Sequence, residues 1–338
     1  MNNDITVINT DVCIIGAGIV GMFLATKLTA NKMSVVMLEN GNCVGGQVNA
    51  YKEKMIYNLP LISSIRGDEL ICKMQTILDK ETHCKTFLQS SVENIDIIDD
   101  GFNVRVFSKK TIYTLIHCKY LVLSFGKGTI EPNTLPYAKA SEIEGKSLFY
   151  TVSDKNKFKN KQIIIAGGGN SVIDWGCELA SLADKITIVH RREIIHNENP
   201  EFLHFKDLCT TGKIILKTHC IIKDLIVNNG EFHAISIANS DGTHETINGD
   251  YLLAFYGNKT TLSNINIYTN LGLKIENSTC VVNHYNNETN ITNIFAVGDC
   301  CNFNGKVRNI FMGFADAMRC FYEICHRETG KKQDFYGH

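Results

Sequence analysis

The sequence predicts an α/β fold with two similar halves, and three observations carry that prediction. An apolar run followed by a glycine-rich turn occurs twice, as Val12-Cys13-Ile14-Ile15 before Gly16-Ala17-Gly18-Ile19-Val20-Gly21 and as Ile163-Ile164-Ile165-Ala166 before Gly167-Gly168-Gly169-Asn170-Ser171-Val172. Each turn is followed by an amphipathic helical stretch and a second apolar strand. Each half then runs through alternating strands to a last apolar run that ends on glycine. Strand, glycine turn, helix and strand form the context in which such a turn binds a dinucleotide. The predicted architecture is therefore two Rossmann-like nucleotide-binding domains, each with a β-meander.

The first strands need little argument. Four consecutive apolar residues directly before a glycine turn read as a strand. In each turn the first glycine permits the tight bend and the second lets a pyrophosphate approach the backbone. The third lets helix and strand pack closely. Val172 stands at the third position of the second copy, which loosens that packing and leaves the phosphate turn intact. In the helix that follows, Val172, Gly176, Leu179 and Ala183 recur four, three and four apart, so one face packs on the sheet.

The ends of the second strands differ. Ser34-Val35-Val36-Met37-Leu38 ends at Glu39, while Ile186-Thr187-Ile188-Val189 ends at His190-Arg191-Arg192. A carboxylate at this offset accepts hydrogen bonds from ribose hydroxyls, and a basic cluster receives a 2′-phosphate. The first site thus reads as one for FAD and the second as one for NADP(H), a diffusible co-substrate. The competing readings are an ordinary glycine turn and a solvated basic strand end.

The meanders follow period-two alternation. In the first half they are Val92 to Ile98, a turn at Asp99-Asp100-Gly101, Phe102 to Val106 and Thr111 to Cys118, with a return strand from Tyr120 to Phe125. In the second half Ile221 to Val227, a turn at Asn228-Asn229-Gly230 and Phe232 to Ala238 precede a return strand from Tyr251 to Tyr256. Pro132 and Pro136 mark the handover between halves. The expected layout is an FAD domain formed by 1–125 and 254–338, interrupted by an NADP(H) domain at 126–253.

Composition excludes several classes. At 338 residues, with 44 % hydrophobic and 20 % charged residues and a net charge of −1, the chain has the profile of an ordinary globular protein. Its balance gives no reason to expect nucleic acid or an anionic membrane as partner. The Met1-Asn2-Asn3-Asp4 start has no basic, apolar leader, and a cytoplasmic location is expected. The 13 cysteines include no Cys-x-x-Cys pair and no iron–sulfur spacing, and the 11 histidines form no ligand-like cluster, so no metal site is expected.

Taken together, these residues resemble the thioredoxin-reductase-like flavoproteins, and within them the type 2 ferredoxin–NADP reductases. The resemblance runs nearly end to end. It rests on Gly45-Gly46-Gln47, the run Tyr51-Lys52-Glu53-Lys54-Met55-Ile56-Tyr57, Phe149 to Asp154, Gly167 to Trp175, and His190-Arg191-Arg192. It continues through Ile294-Phe295-Ala296-Val297-Gly298-Asp299 and Gly305-Lys306-Val307. Thioredoxin reductases carry a redox Cys-x-x-Cys before the second glycine turn, and Phe149 to Lys161 contains no cysteine.

The resemblance implies a fold of the thioredoxin-reductase type and places site residues by position. Gly16, Gly18, Val20 and Gly21 are expected at the FAD pyrophosphate and Glu39 at its ribose. Gln47 and Tyr51 belong at the flavin, Tyr51 by stacking, and Val92 at the adenine through its backbone. Ile130 matches a flavin-contacting aromatic position, and Asp299 faces the ribityl chain or the pyrophosphate. Arg319 stands where the family has Thr or Ser near the flavin. Bland alternatives are a core tyrosine for Tyr51, a helix cap for Asp299 and a surface turn for Gln47. For NADP(H), Gly167, Gly169, Asn170 and Ser171 form the phosphate turn, with His190, Arg191 and Arg192 at the 2′-phosphate. A further family arginine is replaced by Ile194-Ile195-His196, which weakens the expected preference for NADPH over NADH.

The implied activity is FAD-mediated electron transfer between NADP(H) and ferredoxin or a similar small carrier, by a homodimer. No catalytic acid, base or nucleophile is nominated, because the flavin carries the redox chemistry. Lys52, Lys54, Lys306 and Arg308 are candidates for a basic docking patch, and Phe335-Tyr336 for a cover over the flavin. Two alternatives remain at this stage: a reductase of flavodoxin or a small disulfide, and a non-catalytic FAD-binding regulator.

Overall fold

In the computed structural model the described residues are 6–108, 111–193, 200–261 and 265–330. They form two compact units. One comprises Met1–Thr129 and Thr260–His338, and the other Ile130–Lys259.

In the first unit, β1 (Thr6–Ile15) leads through the glycine turn into α1 (Ile19–Ala30) and on to β2 (Val35–Leu38). β1 lies between β2 and the strand Thr111–Leu123, parallel to both, with Ile14 opposite Met37 on one side and Val122 on the other. β1 from Val12, β2 and residues 120–123 are nearly dry, so their apolar runs satisfy the requirement of a sheet covered on both faces. Met22, Leu24, Ala25 and Leu28 of α1 cover one face. The strand Ile294–Ala296 adds to the sheet beside residues 121–123.

The sequence divides residues 111–125 into a meander strand and a return strand, but they form one strand, Thr111–Leu123. Residues 111–118 of it pair antiparallel with Gly101–Ser108 and residues 114–123 pair parallel with β1. The first meander is therefore an extension of the main sheet. Only Lys119 stands between the two stretches the sequence suggests, and Lys119 keeps the extended pleat.

The second unit repeats the core with β3 (Gln162–Gly167), α2 (Asn170–Ala180) and β4 (Lys185–Val189). β3 lies between β4 and the strand Tyr251–Phe255, again parallel to both. Here the meander, Cys220–Asn228, Glu231–Asn239 and His244–Asn248, forms its own three-stranded sheet. Gly249 and Asp250 end the last of these strands before the return strand starts. Gly249 N–H donates to the His233 carbonyl, and Asp250 N–H donates to the Gln162 carbonyl at 2.8 Å. The chain leaves this unit after Lys259, past the expected 254, because Ala254 and Phe255 still pair with Ala166 and Gly167.

The last element among the described residues is the helix α3 (Ile310–Thr329), which Asn309 caps and the left-handed Gly330 terminates. Its buried face includes Gly313, Asp316, Ala317, Cys320, Phe321 and Ile324. No helix among the described residues is long and apolar enough to cross a membrane.

Candidate functional site: two glycine turns

At the first turn a Cβ on Gly21 would lie 2.4 Å from the Gly16 carbonyl oxygen and 2.9 Å from Ser124 Oγ. Any side chain there would push α1 off the sheet. Gly18 faces the opposite condition: a Cβ there would meet nothing nearer than Gly46 Cα at 3.9 Å. Space is thus open over the turn and closed beneath it. The start of α1 has no side-chain cap and no acidic residue in its first turn. α3 differs, because Asn309 accepts a hydrogen bond from Met312 N–H at 2.8 Å. Unpaired N–H groups and a positive dipole end facing open space suit an anionic group such as a pyrophosphate. Ser124 Oγ, buried beside this turn, has no hydrogen-bond partner among the described residues.

Glu39 closes one end of the turn. Its Oε2 accepts from Ala17 N–H at 3.0 Å and its Oε1 from Gly41 N–H at 2.7 Å. The carboxylate is held in one orientation, and each oxygen keeps a further acceptor site. Ser90 N–H donates to the Glu39 carbonyl at 2.9 Å, which draws the strand bearing Val92 to this end.

The other end collects Gln47, Tyr51 and Asp299. Gly45 N–H donates to the Ala17 carbonyl at 2.8 Å, and Gly46 packs on Gly18, so the short helix Gly46–Tyr51 is fixed to the turn. Gln47 is half-buried, and its Nε2 lies 3.3 Å from the place a Cβ on Gly126 would take. Tyr51 is half-buried against the first core. Burial raises its hydroxyl above the ordinary tyrosine range, and the Asp299 carboxylate raises it further. Asp299 follows Gly298, where a Cβ would sit 3.4 Å from Val20 Cγ2. It caps no long helix, since α3 has Asn309 for that. Ile130 lies in the strand Thr129–Pro132, with its side chain outside the described residues. Phe335 and Tyr336 also lie outside them.

Arg319 occupies an unexpected setting. Its Nε donates to Asn287 Oδ1 at 2.9 Å and its Nη2 to Asp316 Oδ1 at 2.5 Å, while the guanidinium lies 5.3 Å from the Phe303 ring centre. Asp316 is wholly buried and also pairs with Lys306, whose side chain is 2 % exposed. Lys306 is thereby removed from the expected surface patch, because α3 brings a buried carboxylate to it. Lys52 and Arg308 remain exposed. Sequence reasoning missed Asp316 and Asn287. The available signal was an acid on the apolar face of α3, three residues before an arginine.

The second turn is built differently. A Cβ on Gly167 would lie 3.0 Å from Val172 Cγ2, and Val172 is fully buried, filling the space that a third glycine would leave. A Cβ on Gly168 would lie 2.3 Å from both Cε1 and Nε2 of His190, so the imidazole lies directly against the turn. Gly169 has nothing within 4 Å of such an atom, and Asn170 and Ser171 are exposed. α2, like α1, starts without a side-chain cap or an early acid. Arg191 and Arg192 are exposed beside the half-buried His190. Burial, then these two guanidinium charges, hold the imidazole below its ordinary value of 6.5.

The thirteen cysteines are all free thiols. Cys300 and Cys301 are buried, and burial pushes the Cys300 thiol up to about 12, so the vicinal pair is no ready thiolate nucleophile.

These features match known proteins along nearly the whole chain. The family model for pyridine nucleotide-disulphide oxidoreductases matches residues 10–319. A relative named ferredoxin–NADP reductase, from Rickettsia canadensis (strain McKiel), is 34 % identical over 94 % of this chain and 93 % of its own. Another of that name, from Rickettsia bellii (strain OSU 85-389), is 34 % identical over 96 % of this chain and 95 % of its own.

The chain belongs to the pyridine nucleotide-disulphide oxidoreductases, and within them to the ferredoxin–NADP reductases.

The fold is that of solved reductases too distant in sequence to show more. A T. acidophilum thioredoxin reductase superposes with a TM-score of 0.74 at 20 % identity, covering 96 % of this chain and 99 % of that one. A bacillithiol disulfide reductase from Bacillus cereus gives 0.72 at 19 % identity, covering 94 % and 99 %.

Proposed function

We propose that this ferredoxin–NADP reductase family member transfers electrons between NADP(H) and ferredoxin, or a similar small one-electron carrier, through bound FAD. The supporting observation is the pair of glycine turns with uncapped helix starts and opposite groups beside them: a pinned carboxylate at one, two exposed guanidinium groups at the other.

FAD, when bound, supplies the exchange between a two-electron hydride donor and a one-electron carrier. The chain's own residues bind and orient. Gly16, Gly18, Val20 and Gly21 receive the pyrophosphate, and Glu39 accepts from the ribose. Val92 lies at the adenine end. Gln47, Tyr51 and Asp299 serve the flavin end, with Ile130 as a further contact. In the second unit Gly167, Gly169, Asn170 and Ser171 cradle the pyrophosphate of NADP(H), and Arg191 and Arg192 fork onto its 2′-phosphate beside His190. The unit of 1–129 and 260–338 is in this reading the FAD domain, and 130–259 the NADP(H) domain. The same reading has the protein work as a cytoplasmic homodimer.

The test is direct. The purified protein is expected to be yellow, to bleach on addition of NADPH without oxygen, and to pass the electrons to ferredoxin faster than to flavodoxin or a low-molecular-weight disulfide. A colourless preparation that takes up no flavin overturns the reading. A yellow one that NADPH leaves unbleached points to a binding module.

A further inference from the structure

Asp316 is 0 % exposed and yet sits among charges. A buried carboxylate is tolerated only where its lone pairs are met. Here they are: Oδ1 takes Arg319, and Oδ2 takes Lys306 Nζ, the Gly298 N–H at 3.1 Å and the Cys301 thiol at 3.6 Å. Asn287, equally buried and with φ +60°, accepts from Arg319 Nε and donates from Nδ2 to the Ala296 carbonyl at 3.0 Å. Arg319 therefore reaches the main chain twice through intermediaries. One route runs by Asn287 to Ala296, the other by Asp316 to Gly298.

Those two residues flank Val297, where the buried strand Ile294–Ala296 ends and the chain bends into Gly298-Asp299. The bend carries the Asp299 carboxylate, which has no hydrogen-bond partner among the described residues and acts electrostatically on Tyr51. The guanidinium also lies over the Phe303 ring, and among the described residues the carboxylate it pairs with is that of Asp316. All its strong contacts serve this bend.

We infer that Arg319 is a positioning residue: it clamps both sides of the strand-to-turn bend and so sets where Asp299 presents its carboxylate to FAD. A small hydroxyl residue at this place contacts its surroundings directly. The longer guanidinium side chain acts through Asp316 and Asn287. Lys306 pairs with Oδ2 of Asp316 and Arg319 with Oδ1, so Arg319 fixes which oxygen faces Gly298. The inference rests on the FAD-binding reading above, but the clamp itself does not require the cofactor to be present.

The experiment uses the full-length protein in two arms. In the first, FAD dissociation constants are measured by flavin fluorescence for the parent, R319T, D299N and the double variant. R319T is expected to weaken FAD about tenfold in the parent and by less than about twofold beside D299N, a coupling of the size found between linked residues. R319K is expected to recover most of the loss. Equal weakening in both backgrounds, or none, overturns the inference, because a merely structural arginine gives additive effects. In the second arm, hydrogen exchange is followed by mass spectrometry without added FAD. The peptide covering 296–301 is expected to exchange about tenfold faster in R319T while β1 keeps its protection. Unchanged exchange there also overturns it. A parent protein that binds no FAD sinks the functional reading alone, and the exchange arm still tests the clamp.

Discussion

The two glycine turns share a plan and differ in how much is built in before a nucleotide arrives. At the first, α1 is so close to the sheet that Gly21 has no room for a methyl group, and Glu39 is already bound at both oxygens. At the second, Val172 fits beneath the turn, and Arg191 and Arg192 project into solvent. A pinned acceptor gives up little freedom on binding, whereas two exposed arginines must be ordered each time. The difference is what a resident group and an exchanging one require. One turn is finished by the fold, the other by its ligand.

The strongest way to break this comparison is to exchange the third residue of each turn. Gly21→Ala places a Cβ 2.4 Å from a carbonyl oxygen, so the overpacked helix is expected to cost about 1–3 kcal/mol and the protein to be purified without flavin. Flavin-to-protein absorbance and the thermal midpoint report it. Val172→Gly should leave flavin content untouched, and a loss there equal to that of Gly21→Ala would end the distinction.

Next in size is the double change Arg191→Ala with Arg192→Ala. Each charge-assisted hydrogen bond is worth about 1.5–3 kcal/mol, so KM for NADPH should rise by about 100-fold while kcat at saturation holds. KM for NADH should hardly move. Steady-state kinetics with both coenzymes decide the matter, and a matched rise for NADH would deny the arginines their phosphate.

A smaller effect is expected for Glu39→Gln. Gln offers one oxygen to Ala17 or Gly41 and turns an amide towards the other N–H, so FAD should bind about tenfold more weakly, for about 1–2 kcal/mol lost. Fluorescence titration of the flavin-free protein measures it.

The smallest prediction concerns pH. His190 has its imidazole held below 6.5, by burial and then by Arg191 and Arg192. The unfolded chain therefore binds the proton first as pH falls, and stability declines with falling pH below 6.5, with no contribution above it. His190→Gln should flatten the dependence of the thermal midpoint between 6.5 and the lower folded value. An unchanged slope would place the imidazole elsewhere than against Gly168.

Much of this was legible in the sequence because its causes are local. Four apolar residues before Gly16 or Gly167 read as strands, and Glu39 and Arg191 announce themselves by their offset from those glycines. The fusion of residues 111–123 into one strand was not legible, because Lys119 looks as much like a break as Gly249 and Asp250 do. What decides is pairing with β1, a partner a hundred residues away. The contact of His190 with Gly168 was hidden for the same reason. Lys306 was misread as a surface charge, since a lysine normally keeps its ammonium in water. Only the return of α3 with Asp316 gives it a reason to be inside.

The scattered sulfur atoms have a practical consequence. Cys220 is the buried thiol of the 130–259 unit among the described residues, while Cys13, Cys118, Cys280, Cys300, Cys301, Cys320 and Cys325 are buried in the other. Alkylating reagents reach such groups only as the surrounding chain opens, and each adduct adds a fixed mass. Labelling at Cys220 and at Cys13 therefore times the loosening of the two halves independently, from the native molecule and without an introduced probe. Cys43 and Cys72, already in solvent, would mark the zero of that clock.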